Sequence, residues 1–507
     1  MHIAFLNPQG NFDRRDSYWT QHPDFGGQLV YVKQVALAMG EMDHRVDILT
    51  RQIHDPDWPE FAEPEDRYEG APNVRILRLP AGPDRFLRKE LLWPHLCRDW
   101  VPNILAFYRR AGSFPDLFTA HYGDGGLSGV LIEHRAGIPF TFTAHSLGAQ
   151  KMDKLGVTPE NLAQMDARYH FARRLLAERL SMNRSAINIT STRQERFEQY
   201  GHHAYRGAVD VRDDSRFAVI PPGVNLAVFD ADAASPDERA AQAHVEAMLA
   251  RDIAADRRHL PAIIASSRLD PKKNHLALVQ AFALSPELQA RANLVLFTGA
   301  LPDPLRDDGG AGETERQILT QIRQIVDRHN LWGKVSAFAL PGQPALAAAY
   351  RYLARRRSVF ALTALYEPFG LAPLEAAAAG LPLVVTRNGG PSESLQEGGV
   401  AYGLLINPSD PHDIAQALLK LLRDPETWQT FATRARQRVL SRYTWERTAQ
   451  GYLTQIEAIL ARPAAQRQRP RLPIHPYFLN PTPQNDVSLD ELRQLYFPVP
   501  PTADSHR

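Results

Sequence analysis

Cysteine is almost missing from this chain: Cys97 is the single one in 507 residues. That leaves no intramolecular disulfide framework and no zinc-type Cys/His spacing, and it fits a reducing compartment. Cys97 lies in the apolar stretch 93–100, which predicts an inert thiol rather than a nucleophile. Net charge is nearly missing too. The 58 Lys and Arg against 57 Asp and Glu leave +1, so bulk charge gives nucleic-acid binding no support. No window approaches 18 uninterrupted apolar residues, so no membrane span is predicted. The N-terminal apolar run, 1–8, is short and lacks a basic flank. It reads as a first strand and not as a signal peptide. The expectation is a cytoplasmic protein with neither a membrane nor a nucleic acid as partner.

What is present is an ordinary globular balance, 44% apolar and 23% charged. The length exceeds what one core serves, so two domains are expected. Short β-branched apolar runs alternate with helical patterns throughout. Candidate strands in the first half are 2–6, 45–50, 74–79, 116–121, 139–144, 187–191 and 217–221. In the second half they are 261–267, 293–299, 334–338, 358–362, 382–386 and 403–406. Strands alternating with helices imply βαβ units and parallel sheets. The fold class is therefore α/β, with two doubly wound, Rossmann-like domains. In such sheets ligands bind outside the carboxyl ends of the strands, so the site is expected in a cleft between the two domains. Expected boundaries are 1–225 for the first domain, 226–260 for an Ala-, Asp- and Glu-rich connector and 261–445 for the second domain. A helix at 446–460 returns to the first domain. The tail 461–507 holds nine of the 39 prolines and reads as irregular.

The residues that carry chemistry cluster at strand ends. Glu367-Pro368-Phe369-Gly370-Leu371 leads from a predicted strand into an Ala-rich helix that contains Glu375. The turn puts Gly370 and Leu371 at a helix N-terminus, where free N–H groups can cradle a diphosphate. Arg268 and Lys273, five apart on another strand-end loop, can neutralise such a group. Taken alone, that pair is more often a solvated basic turn. Arg387-Asn388-Gly389-Gly390-Pro391 is a third strand-end loop, and its glycines suit close backbone approach. In the first half, Gly26-Gly27-Gln28 opens a helix, and Tyr122-Gly123-Asp124 and His145-Ser146 each follow a strand. A Gly-Gly pair is usually a plain turn and a lone histidine is usually structural. The strand-end placement is what raises the functional reading of each. A basic set, Lys89, Lys151, Arg173 and Arg174, would on composition alone be a solvated surface.

The joint pattern resembles the sucrose-phosphate synthases, retaining glycosyltransferases of the two-domain GT-B fold. The matching stretches include 7–10, 22–28, 144–148, 191–195, 219–223, 270–274, 367–371 and 387–391, spread in the family's order over 1 to about 460. The Glu-x7-Glu pair marks the wider retaining GT-B class, and the His-Ser-Leu-Gly segment followed by Lys151 is the more specific mark. Several roles follow from the resemblance. Glu375 would bind the nucleotide ribose and Glu367 the donor hexose, with Phe369 lining the donor. Arg268 and Lys273 would hold the diphosphate with the N–H groups of Gly370 and Leu371. His145 would touch the donor glucose near the reacting carbon. Gly26, Gly27 and Gln28 would line the acceptor and diphosphate region. Lys89, Tyr122, Ser146, Lys151, Arg173 and Arg174 would surround fructose 6-phosphate. The co-substrate implied is UDP-glucose or ADP-glucose, no divalent metal is needed, and a separate sucrose-phosphate phosphatase would act next. The segment 297–300 and the tail depart from the family's usual form. Two alternatives stay open: a sucrose synthase-like enzyme using free fructose, and a non-catalytic sugar-nucleotide-binding protein.

Overall fold

Runs such as Ile3-Ala4-Phe5-Leu6 and Leu383-Val384-Val385 are apolar on successive residues, the pattern of strands buried on both faces of a parallel sheet. In the computed structural model, which describes residues 1–19, 22, 24–233, 238–299, 301–463 and 470–497, they form the centres of two such sheets. The matched stretch 22–28, the segment 297–300 and the tail 461–507 each include positions outside those residues.

The first sheet holds β1 (His2–Leu6), β2 (Arg45–Arg51), β3 (Glu65–Asp66), β4 (Val74–Leu79), β5 (Leu117–His121), β6 (Phe140–Thr143), β7 (Ile187–Thr190) and β8 (Phe217–Val219). Their order is β3-β4-β2-β1-β5-β6-β7-β8, parallel except for the β3–β4 pair. The second sheet holds β9 (Ala262–Ser266), β10 (Asn293–Phe297), β11 (Val335–Phe338), β12 (Val359–Leu362) and β13 (Leu383–Thr386). After a short hairpin, β14 (Gln396–Glu397) with β15 (Val400–Ala401), β16 (Leu404–Ile406) closes its edge. The order is β11-β10-β9-β12-β13-β16, all parallel.

The chain divides into two units, Met1–Pro221 with Thr448–Arg507, and Pro222–Arg447. Two features differ from the sequence reading of these stretches. The helix Glu238–Asp252, read as a connector, buries Ala241, Val245 and Leu249 and belongs to the second unit. Those positions recur every four residues, which is the spacing of one helix face. The Pro-rich tail is not irregular in its described part. It carries the helices Pro476–Leu479 and Leu489–Tyr496, and Tyr477, Phe478, Leu492 and Tyr496 join the first unit's core. The helix Trp445–Ala461 runs across the division. Its later part lies in the first unit, where the Thr448 hydroxyl donates to the Pro221 carbonyl and Tyr452 shares a 2.6 Å hydrogen bond with Thr143. Cys97 is buried, and loss of solvent pushes its thiol up to about 12.

Candidate active site

In the second unit three strand-end loops lock together. After β9 a short turn, Pro271–Lys273, is capped by Asp270, whose carboxylate accepts the Lys272 N–H at 2.9 Å. The Leu365 N–H donates to Lys272 O at 2.8 Å and the Thr363 hydroxyl to Asn274 O at 3.0 Å, which ties this loop to the one after β12. Lys273 Nζ reaches Glu367 Oε2 at 2.6 Å, with side chains 29% and 14% exposed. An ammonium carries three donors, so Lys273 can hold Glu367 and still face an anion. Arg268 lies exposed at the start of the same loop.

The loop after β13 fixes the other side of Glu367. The Glu367 N–H donates to Asn388 O at 3.0 Å, and the Gly390 N–H donates to Glu367 O at 2.9 Å. Gly389 has φ +102°, and a Cβ there would sit 2.0 Å from Glu367 O. At Gly390 a Cβ would fall 2.6 Å from the Phe369 Cα. The close approach that these glycines permit is thus to the Glu367–Phe369 backbone itself. Gly370, at φ +95°, then turns the chain into the helix Leu371–Ala378, where Leu371 opens the first turn. Glu375 stands half-buried on that helix, and burial raises its carboxyl to about 7. The structure therefore brings Lys273, Glu367, Phe369, Gly370 and Leu371 onto one framework, with Glu375 one turn further on.

In the first unit two neighbouring strands end in strained residues. Tyr122 after β5 has φ +65° and His145 after β6 has φ +55°, a region costly for bulky side chains. His145 Nε2 lies 2.8 Å from His121 Nδ1, and His121 Nε2 lies 2.9 Å from the Thr119 hydroxyl. Burial takes His145 down to about 3 and His121 far below its ordinary value, so both rings are neutral at physiological pH. Tyr31 packs edge-on against His145 at 4.9 Å. Gly26 and Gly27 open the helix Gly27–Glu41 with free space where side chains would stand, and Gln28 Nε2 donates to Asn7 Oδ1 at 2.5 Å.

The basic set is mostly gathered here. Arg174 is buried, donates to Glu178 Oε1 at 2.8 Å and to Ser146 O at 2.9 Å, and stacks over Tyr122 at 4.7 Å. Glu178 also accepts the Gly148 N–H, which anchors the helix Gly148–Lys154 that carries Lys151. Lys151 Nζ lies over Tyr169 at 4.1 Å and 3.7 Å from Glu90. Lys89 Nζ lies 3.1 Å from Asp24 and 5.9 Å from the Tyr122 ring. Arg173 is not brought to this group. Its guanidinium forms a two-pronged pair with Asp486 of the tail, at 2.8 and 2.5 Å, and covers Tyr477. Lys89, Tyr122 and Arg174 enclose a small cavity with Glu90, Trp93, Asp124 and Tyr169. Of these last four, Asp124 stood in a strand-end motif and the others carried no sequence signal. Among the described residues no cluster of three or more His, Cys, Asp or Glu is placed to hold a metal ion.

Known families fit these two halves. The family described as "Glycosyl transferase 4-like domain" matches residues 26–223, and "Glycosyl transferases group 1" matches 252–438. A protein of Thermosipho melanesiensis described as a probable sucrose-phosphate synthase is 42% identical over 90% of this chain and 96% of its own length. The chain belongs to the sucrose-phosphate synthase family. It is accordingly a glycosyltransferase, and its two parallel α/β sheets are those of the GT-B fold. A sucrose-phosphate synthase structure from Thermosynechococcus elongatus superposes with a TM-score of 0.61 at 25% identity, covering 91% of this chain and 99% of that one. Anabaena HepE, solved with UDP, shares the fold at TM-score 0.59 and 18% identity, over 90% of this chain and 100% of its own. Plant members are longer: this chain spans 47% of the sucrose-phosphate synthase of Zea mays, at 34% identity over 90% of this chain. No described helix is long and apolar enough to cross a membrane.

Proposed function

We propose that this family member transfers glucose from a nucleoside diphosphate glucose, with UDP or ADP as the leaving nucleotide, to fructose 6-phosphate. The product is sucrose 6-phosphate, with retention at the glucose C1. The bond from C1 to the diphosphate oxygen breaks and a bond from C1 to the acceptor's O2 forms on the same face. The acceptor hydroxyl's proton passes to the departing phosphate. In this reading the protein orients two substrates and stabilises charge. Lys273 and Arg268, with the N–H groups of Gly370 and Leu371, take the diphosphate. Glu367 takes the donor hexose with Phe369 beside it, and Glu375 the ribose. Neutral His145 contacts the donor sugar near C1 as a hydrogen-bonding group and not as a cation. Gly26, Gly27 and Gln28 line the neighbouring ground, and Ser146 faces the acceptor. The two cationic loop residues supply the electrostatics a divalent metal would otherwise bring. A separate phosphatase would consume the phosphorylated product.

The observation that carries the acceptor assignment is that Lys89 and Arg174 lie against Tyr122 while Lys151 lies beside Glu90 and Tyr169 of the same cavity wall, three cations from three separate segments. Charge-assisted bonds to a phosphate dianion are strong and selective. A site built for that group rejects the analogue lacking it, because its cations are left unpaired. Initial rates with fructose 6-phosphate and with fructose test this. The expected ratio in kcat/KM is roughly 10³ or more, about 4 kcal/mol. Lys151→Ala should narrow it by weakening the phosphorylated acceptor alone. Equal efficiency with fructose would move the enzyme to the sucrose synthase reading.

A further inference from the structure

Two buried polar atoms, one from each of two side chains that line the acceptor cavity, have no hydrogen-bond partner. Asp124 is 1% exposed and Trp93 is 3% exposed. The Gly125 N–H donates to Asp124 Oδ1 at 2.8 Å, but Asp124 Oδ2 is buried without a partner. The Trp93 indole Nε1 is likewise buried without a partner. Both residues line the same cavity as Lys89, Tyr122 and Arg174, and its volume is about 10 Å3. That is room for a single oxygen, about one water-sized sphere, and not for a sugar ring.

The chemistry of the pair is complementary. An indole N–H can only donate, and an ionised carboxylate oxygen, the form that neighbouring Lys89 and Arg174 favour, can only accept. One group satisfies both from a single atom: a hydroxyl, which accepts from the indole and donates to the carboxylate. An ether, a carbonyl, a fluorine or a C–H leaves the carboxylate unmet. Leaving such buried groups unsatisfied is costly, and loss of solvent already raises the Asp124 carboxyl to about 7.

The geometry points to a one-hydroxyl notch, in which Trp93 Nε1 and Asp124 Oδ2 together read one ring or hydroxymethyl hydroxyl of the acceptor sugar and so set its identity. This rests on the proposed acceptor function, and it adds to phosphate recognition a second, independent test of the substrate. The three cations select the phosphate, and the notch selects a hydroxyl at a fixed distance from it. Trp93 and Asp124 are specificity residues and take no part in bond making.

The test uses the full chain and four acceptors: fructose 6-phosphate and its 1-, 3- and 4-deoxy analogues, with Trp93→Phe and Asp124→Asn beside the unmutated enzyme. One deoxy analogue should lose about 10-fold or more in kcat/KM with the unmutated enzyme. Trp93→Phe should lose a similar factor on fructose 6-phosphate and almost nothing further on that one analogue, while still penalising the other two as the unmutated enzyme does. Asp124→Asn should behave alike. Nucleotide-sugar affinity, measured without acceptor, should stay unchanged and reports that the variants are folded. If every variant loses the same factor on all four acceptors, the pair is structural, its cavity holds a water, and the inference is overturned. A different failure, an unmutated enzyme that treats fructose as well as fructose 6-phosphate, would instead overturn the acceptor assignment.

Discussion

Glu375 supplies a prediction that the structure makes quantitative. Its carboxyl is raised from the ordinary 4.5 to about 7 by burial alone. A ribose diol donates hydrogen bonds, so it selects the ionised form. Donor binding must then expel a proton from the protonated fraction, and the apparent affinity falls as pH drops through 7. Linkage gives a weakening of 1 + 10^(pKa − pH), which is about 11-fold at pH 6 and about 1.1-fold at pH 8, so roughly tenfold between them. The same shift acts on stability with a definite sign. Between about 4.5 and 7 the folded state binds the extra proton, so the group's contribution is fully present below 4.5 and is lost as pH rises through 7. The full shift of about 2.5 corresponds to at most about 3.4 kcal/mol, and partial solvent access reduces that to about 2 kcal/mol.

The assay is calorimetric titration with a nucleotide sugar, whose diphosphate diester has no titration near neutrality, at pH 6, 7 and 8 in buffers of different ionisation enthalpy. No acceptor is added, which keeps Asp124, also at about 7, out of the comparison. His145 at about 3 and His275 at about 4 lie below the window. The unmutated enzyme should weaken tenfold toward pH 6 and release protons on binding. Glu375→Gln should bind more weakly, show a flat profile and gain stability relative to the parent as pH rises to 8. Equal pH profiles in the two proteins would refute the role given to Glu375.

Four further changes test the remaining framework. Arg268→Ala and Lys273→Ala should each lower kcat on the order of 10²-fold, as loss of one preorganised donor does, with the fold intact by circular dichroism. Gly389→Ala forces a Cβ to within 2.0 Å of Glu367 O at φ +102°, so thermal unfolding should show a loss of about 2–4 kcal/mol together with lost turnover. Asp486→Ala leaves Arg173 without its carboxylate. With the two side chains 19% and 35% exposed, urea titration should find a loss of about 1 kcal/mol, with KM for fructose 6-phosphate little changed.

Much of the frame was legible because it rests on local periodicity. Each of the 13 strand runs read from the sequence is a strand, and the three missed, β3, β14 and β15, are two residues long. A two-residue strand has no period to read. The connector reading rests on composition, whereas the four-residue spacing of Ala241, Val245 and Leu249 is that of a buried helix face. The family resemblance places Arg173 and Arg174 together by the acceptor, yet neighbours on a helix point about 100° apart. One therefore turns to Glu178 and Tyr122 and the other to Asp486, 313 residues away. No local signal foretells a partner at that distance. The glycines of 389–390 mark a close approach by residue type alone, but which backbone approaches is decided by the order β12-β13 in the sheet.

The least legible feature is also the most informative about the site. Nothing in the residue types Tyr122 and His145 announces a left-handed backbone, since glycine is the residue that takes φ near +60° at no steric cost. Here two bulky rings take it at the ends of β5 and β6, which are neighbours in the sheet. Glycine at either position would relieve the backbone and lose the ring. The rings are what the surrounding structure uses: Tyr122 lies under Arg174 and near Lys89, and His145 bonds His121 and packs on Tyr31. The turn at His145 is drawn tight by the Ser146 N–H, which donates to Ala144 O at 2.6 Å, and Arg174 holds the Ser146 carbonyl from the other side. Strain at these two strand ends is thus balanced by contacts within the first unit, and it holds one ring against Arg174 and Lys89 and the other against His121. Under the proposed acceptor and donor roles, glycine at either position should lower kcat/KM more than it lowers thermal stability, and equal wild-type rates in both variants would refute those roles.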